Sequence, residues 1–176
     1  MSSVAQEAAA APLAQVSSTL LDLLLDAGFD FFSGVPDSTL RTLLAEAEAR
    51  PDVQYVPAVS EHVAVGLAAG AYLGGRRTAL FLQNTGLALA INPLATLIAI
   101  YRLPLLLIVG WRGADATDSP EHRVIGATTL PLLEALRIPY FVPDAETLPN
   151  DLADAIAIMD AERSAVVVVI RPGVLA

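Results

Sequence analysis

The stretch VVVVI, Val166–Ile170, offers no polar residue to either face of an extended chain. A strand with one wet face alternates apolar and polar positions, so an unbroken apolar run must be covered on both sides. A parallel sheet flanked by helices meets that demand. Leu105–Gly110 (LLLIVG) makes the same demand, and Thr78–Gln83 nearly so. With Phe29–Ser33, Val53–Ala58 and Tyr140–Val142 they give six candidate strands. Helical stretches separate them: Leu13–Ala27 stopped by Gly28, Asp37 or Ser38 capping a run to about Ala49, Ser60–Leu73, Leu87–Arg102, Thr128–Leu136 and Thr147–Ala161. The βαβ rhythm predicts an α/β fold of three layers, α/β/α, around a mainly parallel six-stranded sheet.

One domain over residues 13–176 is expected, after a flexible lead-in over residues 1–12. That lead-in lacks the basic start and apolar run of a signal peptide, and a cytoplasmic location is the expectation. The longest apolar tract, Leu87–Val109, is interrupted by Asn92-Pro93 and by Arg102-Leu103-Pro104, which fits a buried helix and strand better than a membrane span. Hydrophobic residues make up 55% of the chain. This is high for a soluble domain and points to an extensive core plus surface buried against another chain. The formal charge of −9 argues against nucleic acid as a partner. There are no cysteines, which removes disulfides, thiolate metal sites and a cysteine nucleophile.

Ligands of open α/β sheets collect beyond the carboxyl ends of the strands. Gly34–Ser38, Pro57–Glu61, Gln83–Gly86 and the segment from Gly110 to about Gly126 are therefore the loops to search. Neither nucleotide-binding glycine motif occurs, nor G-x-S-x-G, nor H-E-x-x-H, and the two histidines, His62 and His122, are isolated. Gly66, Gly70 and Gly74 recur every four residues along one helix. That spacing serves either internal helix–sheet packing or a subunit interface, and the apolar excess favours the interface. Glu61 opens this same helix, amid small and apolar residues. It is either a first-turn acid favoured by the helix dipole or a carboxylate that something requires, because burying one unpaired is costly. Ser60-x-x-Val63 lacks the acid of a capping box, so capping does not account for it.

Taken in order, GVPDS (Gly34–Ser38), SEHVAVGLAAGAYL, QNTGLALAINPL (Gln83–Leu94) and LLLIVGWRG (Leu105–Gly113) resemble the pyrimidine-binding domain of thiamine-diphosphate-dependent decarboxylases. Among these the chain is similar to the phosphonopyruvate and sulfopyruvate decarboxylase family. The resemblance implies that Glu61 shares a proton with N1′ of the aminopyrimidine ring. It implies that Asp37 manages protons at the reacting carbon, its alternative being a helix N-cap, and that His122 is a further catalytic candidate. Relatives often carry Gln-His where this chain has Glu121-His122. Gln83, Asn84, Thr85 and Gly86 are the expected pyrimidine-edge residues. Arg112, with Ser38, is expected to engage the anionic substrate. No Gly-Asp-Gly occurs, so Mg²⁺ and the diphosphate would be held by a separate β subunit, in an α2β2 assembly or a multiple of it. Phosphonopyruvate is the expected substrate from Asp37, Asn92-Pro93 and GWRG. Sulfopyruvate or another anionic 2-oxo acid is the near alternative, and a non-catalytic scaffold or regulatory subunit the far one.

Overall fold

In the sheet, consecutive apolar side chains leave to opposite faces and build two separate cores. A computed structural model describes residues 20–115 and 117–175. The lead-in and the first part of the first helix lie outside the described residues. The strands are β1 (Phe31–Gly34), β2 (Tyr55–Pro57), β3 (Thr78–Gln83), β4 (Leu105–Gly110), β5 (Tyr140–Phe141) and β6 (Ala165–Ile170). Every pairing among them is parallel, in the order β2-β1-β3-β4-β6-β5. Phe32, Phe81, Leu106, Ile108, Val166 and Val168 enter one core. Leu80, Leu82, Leu107, Val109, Val167 and Val169 enter the other. Burying one such side chain stabilises the fold by about 1.5–3 kcal/mol, and every residue of β4 and β6 is buried. The uninterrupted runs are thereby accounted for.

Helices cover both faces. On the first lie α1 (residues 20–26), α2 (Arg41–Ala49) and α6 (Leu148–Glu162). On the second lie α3 (Glu61–Leu73), α4 (Asn84–Tyr101) and α5 (Arg123–Ala135). The three-layer α/β/α architecture is as expected from the sequence. Several helix starts differ from that expectation, α2 among them, whose N-cap is Leu40 and not Asp37 or Ser38. The second half of the β3–α4 unit has no loop, because Gln83 is still extended and Asn84 is already helical. Likewise α5 begins at Arg123 rather than Thr128, since Pro120 starts a 3₁₀ turn, Pro120–His122, that runs straight into the helix. Asn92-Pro93 does not break α4. Pro93 lacks an N–H, and the helix passes it by widening into a π turn over Leu94–Ile98. By length and composition α4 would also span a membrane, yet a third of it (33%) is buried within the chain, against the second core.

The glycines of α3 separate into two kinds. A Cβ at Gly66 or Gly70 would meet nothing within 4 Å, so neither serves internal packing. Gly74 instead ends the helix, its N–H bonding to the Gly70 carbonyl, and Gly75 follows at φ +88. Val59, Leu73, Leu89, Ile100 and Tyr101 are likewise exposed around α3 and α4.

Candidate active site at the carboxyl edge of the sheet

β1 has β2 on one side and β3 on the other, so the chain reverses its direction of travel across the sheet there. Connections from two neighbouring strands then diverge to opposite faces and leave a crevice at their carboxyl ends. The loop after β1 carries Asp37, and β3 ends in Gln83. The two meet: Gln83 Nε2 donates to Asp37 Oδ1 at 2.7 Å. Asp37 is 5% exposed. The same Oδ1 accepts the Thr39 N–H at 3.1 Å, while Oδ2 is buried with no partner. The N-cap of α2 is Leu40, so Asp37 makes a turn within its own loop and does not cap that helix. Gly110 lets it fit, because a Cβ at the end of β4 would lie 2.2 Å from Asp37 Oδ2.

Glu61 is the first residue of α3, capped by extended Ser60 after β2. Its side chain is half-buried and lies over the first turn of α4, where a Cβ on Gly86 would come within 2.0 Å of Glu61 Oε1. A methyl at 86 would displace the Glu61 carboxylate from this position. The Glu61 side chain forms no hydrogen bond or ion pair with the described residues, so its carboxylate remains free for a ligand atom.

Ser38, Gln83, Asn84, Thr85 and Arg112, all expected to touch cofactor or substrate, have partners inside the chain. Asn84, 1% exposed, donates to the Arg112 carbonyl (2.8 Å) and to Thr129 Oγ1 (2.9 Å) and accepts the Arg112 N–H (3.0 Å). Its amide clasps the loop after β4 to α5. Thr85 donates to Gln83 Oε1 at 2.6 Å. Arg112 forks onto Asp118, with Nη2 to Oδ1 at 2.6 Å and Nε to Oδ2 at 2.9 Å. Its Nη1 donates to Ser38 Oγ at 3.1 Å, beside a cavity of about 360 Å³ that Arg41 and Thr39 also line. His122 ends the 3₁₀ turn, half-buried, and its carbonyl presses on Gly113: a Cβ there would lie 2.0 Å from it. Sequence reasoning passed over Thr129, Asp118 and Gly110. Only the fold shows what each touches, although a glycine ending a buried strand is a signal of close approach.

The Arg112 guanidinium, and after it the Gly113 N–H, hold the Asp118 carboxyl far below the usual carboxylate range. A depressed folded value gives stability that is complete above the unfolded value of about 4 and is lost as pH falls through the folded one. The difference in melting temperature between the parent and Asp118→Asn is therefore expected to be constant from about pH 8 to 5 and to shrink below about pH 4. Thermal melts across that range check it.

Among the described residues no three His, Asp or Glu side chains come together as a metal site. The chain belongs to the thiamine pyrophosphate enzymes: the family described as their N-terminal TPP binding domain matches residues 14–129. More narrowly, it is 39% identical over 127 residues to the sulfopyruvate decarboxylase subunit alpha of Methanococcus maripaludis, covering 72% of this chain and 76% of that one. It is 38% identical over 118 residues to the protein of the same name from Methanothermobacter thermautotrophicus, covering 67% and 72%. Phosphonopyruvate decarboxylase of Streptomyces viridochromogenes is 34% identical over 119 residues, covering 66% of this chain and 30% of that longer protein. The cofactor of this family is thiamine diphosphate, and the residues present fit it. A carboxylate without a partner sits at the sheet's carboxyl edge, over a glycine that clears the space beside it.

Proposed function

We propose that the chain is the α subunit of a thiamine-diphosphate-dependent decarboxylase of an anionic 2-oxo acid, assembled with a β subunit that holds the diphosphate and Mg²⁺. The observation that carries this is the Glu61 carboxylate, held over Gly86 with no partner from the described residues. The cofactor, when bound, supplies the electron sink that lets CO₂ leave. Glu61 holds a proton at the ring nitrogen N1′, and the β subunit closes water away from this half-exposed group. Asp37 exchanges a proton near the reacting carbon. Arg112, fixed by Asp118 and reaching Ser38, presents a cationic edge to the head group of the substrate.

Sulfopyruvate replaces phosphonopyruvate as the preferred substrate, supported by α-subunit relatives at 39% and 38% identity against 34% for the phosphonopyruvate enzyme. The sequence features that pointed to phosphonopyruvate do not discriminate. Asn92-Pro93 lies within α4, and Arg112 offers a fork equally suited to either tetrahedral anion. Co-expressing the chain with its β subunit and measuring CO₂ release from sulfopyruvate, phosphonopyruvate and pyruvate tests the reading. The expected order is sulfopyruvate, then phosphonopyruvate, with pyruvate last. Release from none of the three, with cofactor bound, refutes it.

The β subunit is placed against the open side of α3 and α4. Each of Gly66→Ala and Gly70→Ala is expected to stabilise the separate chain by about 0.5–1 kcal/mol, since the added methyl meets nothing and helix entropy improves. The same methyls are expected to weaken association with the β subunit about tenfold, because overpacking a tight helix contact costs about 1–3 kcal/mol. Melting of the chain alone and titration against the β subunit give the two signs. Unchanged affinity would move the interface elsewhere.

A further inference from the structure

Gln83 ends β3 with both polar ends of its amide engaged inside the chain: Nε2 on Asp37 Oδ1 and Oε1 on the Thr85 hydroxyl. The chemistry fixes the orientation of that amide. Asp37 Oδ1 already accepts the Thr39 N–H, so it is the NH₂ that faces Asp37, and the hydroxyl of Thr85 then donates to the remaining oxygen. Thr85 stands on the first turn of α4, two residues along a rigid helix. The amide is thus anchored from behind and applied to the carboxylate from the front.

Asp37 is restrained on every side that is visible. Oδ1 takes two N–H donors, from Gln83 and Thr39. Oδ2 is packed against Gly110 and has no partner. Oδ1 is thus occupied, and Oδ2 is the oxygen left without a partner. Each end of the Gln83 amide keeps one further hydrogen-bonding position, but its orientation is set by Asp37 and Thr85.

We propose that Gln83 is a positioning residue for Asp37, locked by Thr85, and not a contact to the cofactor. The proposal rests on the catalytic reading of Asp37 given above. It assigns the Gln83–Thr85 pair to the proton-transfer half of the site, with Glu61 and Gly86 left to the ring.

The test uses the enzyme assembled with its β subunit. Gln83→Leu is expected to lower kcat by about 10–100-fold while the KM for thiamine diphosphate stays within about twofold. Thr85→Val is expected to lower kcat by about three- to tenfold, and Thr85→Ser to restore it. On an Asp37→Ala background, Gln83→Leu is expected to cause no further loss, since a residue acting through another is silent once that other is gone. A cofactor KM raised tenfold or more with kcat unchanged, or full additivity with Asp37→Ala, overturns the proposal. A second measurement needs neither cofactor nor β subunit. In the full chain, the Gln83 side-chain amide protons are expected to exchange slowly with solvent and to lose that protection in Asp37→Ala; fast exchange in the parent overturns the proposal. Full activity of Asp37→Ala would instead sink the catalytic reading of Asp37 and leave the protected amide of the parent untouched, so the two failures are distinct.

Discussion

Glu61→Gln is expected to lower kcat of the assembled enzyme by about 10²–10⁴-fold, the range that a positioned proton-transfer group contributes. The substitution keeps shape and volume and removes the ability to hold and share a proton at the ring nitrogen. It touches little else, since the Glu61 side chain forms no hydrogen bond or ion pair with the described residues. The separate chain should therefore unfold within about 0.5 kcal/mol of the parent, as surface changes away from special features do. Steady-state kinetics with saturating cofactor, alongside urea unfolding of the chain alone, measure both quantities. A loss of activity matched by an equal loss of stability would make Glu61 a folding residue. Activity within about twofold of the parent would remove it from catalysis.

Gly34→Ala is expected to cost the chain about 3 kcal/mol or more. A Cβ at the end of β1 would stand 2.1 Å from the Phe81 carbonyl oxygen and 3.0 Å from its carbon. Both belong to the backbone of β3, which is buried and cannot yield as a side-chain tip can. That carbonyl also accepts the Val35 N–H, so pushing it aside breaks the bond that begins the Asp37 loop. The damage then reaches the site, because the spacing of β1 and β3 sets the Gln83–Asp37 contact. Urea denaturation decides the matter. A loss below about 1 kcal/mol would mean the two strands are not so close. The contrast with Gly66 and Gly70, where the same methyl is expected to stabilise the chain alone, separates glycines that the fold needs from glycines that a partner needs.

These two predictions differ in how far ahead of the structure they were legible. Glu61 stood out in the sequence as an acid among small apolar residues with no capping role, and the ordered motifs around it located the site's edge. Gly34 was visible only as part of GVPDS. Its necessity comes from a strand 47 residues away in register, through the pairing of Phe31 with Thr78 and of Gly34 with Phe81. Asn84 shows the same limit in reverse. Its place beside Gln83 marked it for the cofactor, yet helix geometry turns it to the other side, onto Arg112 and Thr129. Neighbours in sequence at a strand-to-helix junction face different directions, and only the junction's geometry says which. Arg112 was a sound candidate for an anion, but its carboxylate partner Asp118 lies in a loop whose course no periodicity reports.

The sequence by itself determined the layers. Runs such as VVVVI and LLLIVG compel burial on both faces, and that demand is local, satisfied by any helices that follow each strand. It also determined which loops lie at the carboxyl edge, since a strand's direction is fixed by the chain's own. Tertiary structure alone decided which polar groups meet there. Strand order brings β1 beside β3 and so sets Asp37 on Gln83, and close approach leaves no room for a side chain at Gly34 or Gly110. The reason is physical. Hydrophobic burial sums over area and tolerates many arrangements, whereas a hydrogen bond or a missing methyl is settled by tenths of an ångström between segments far apart in the chain.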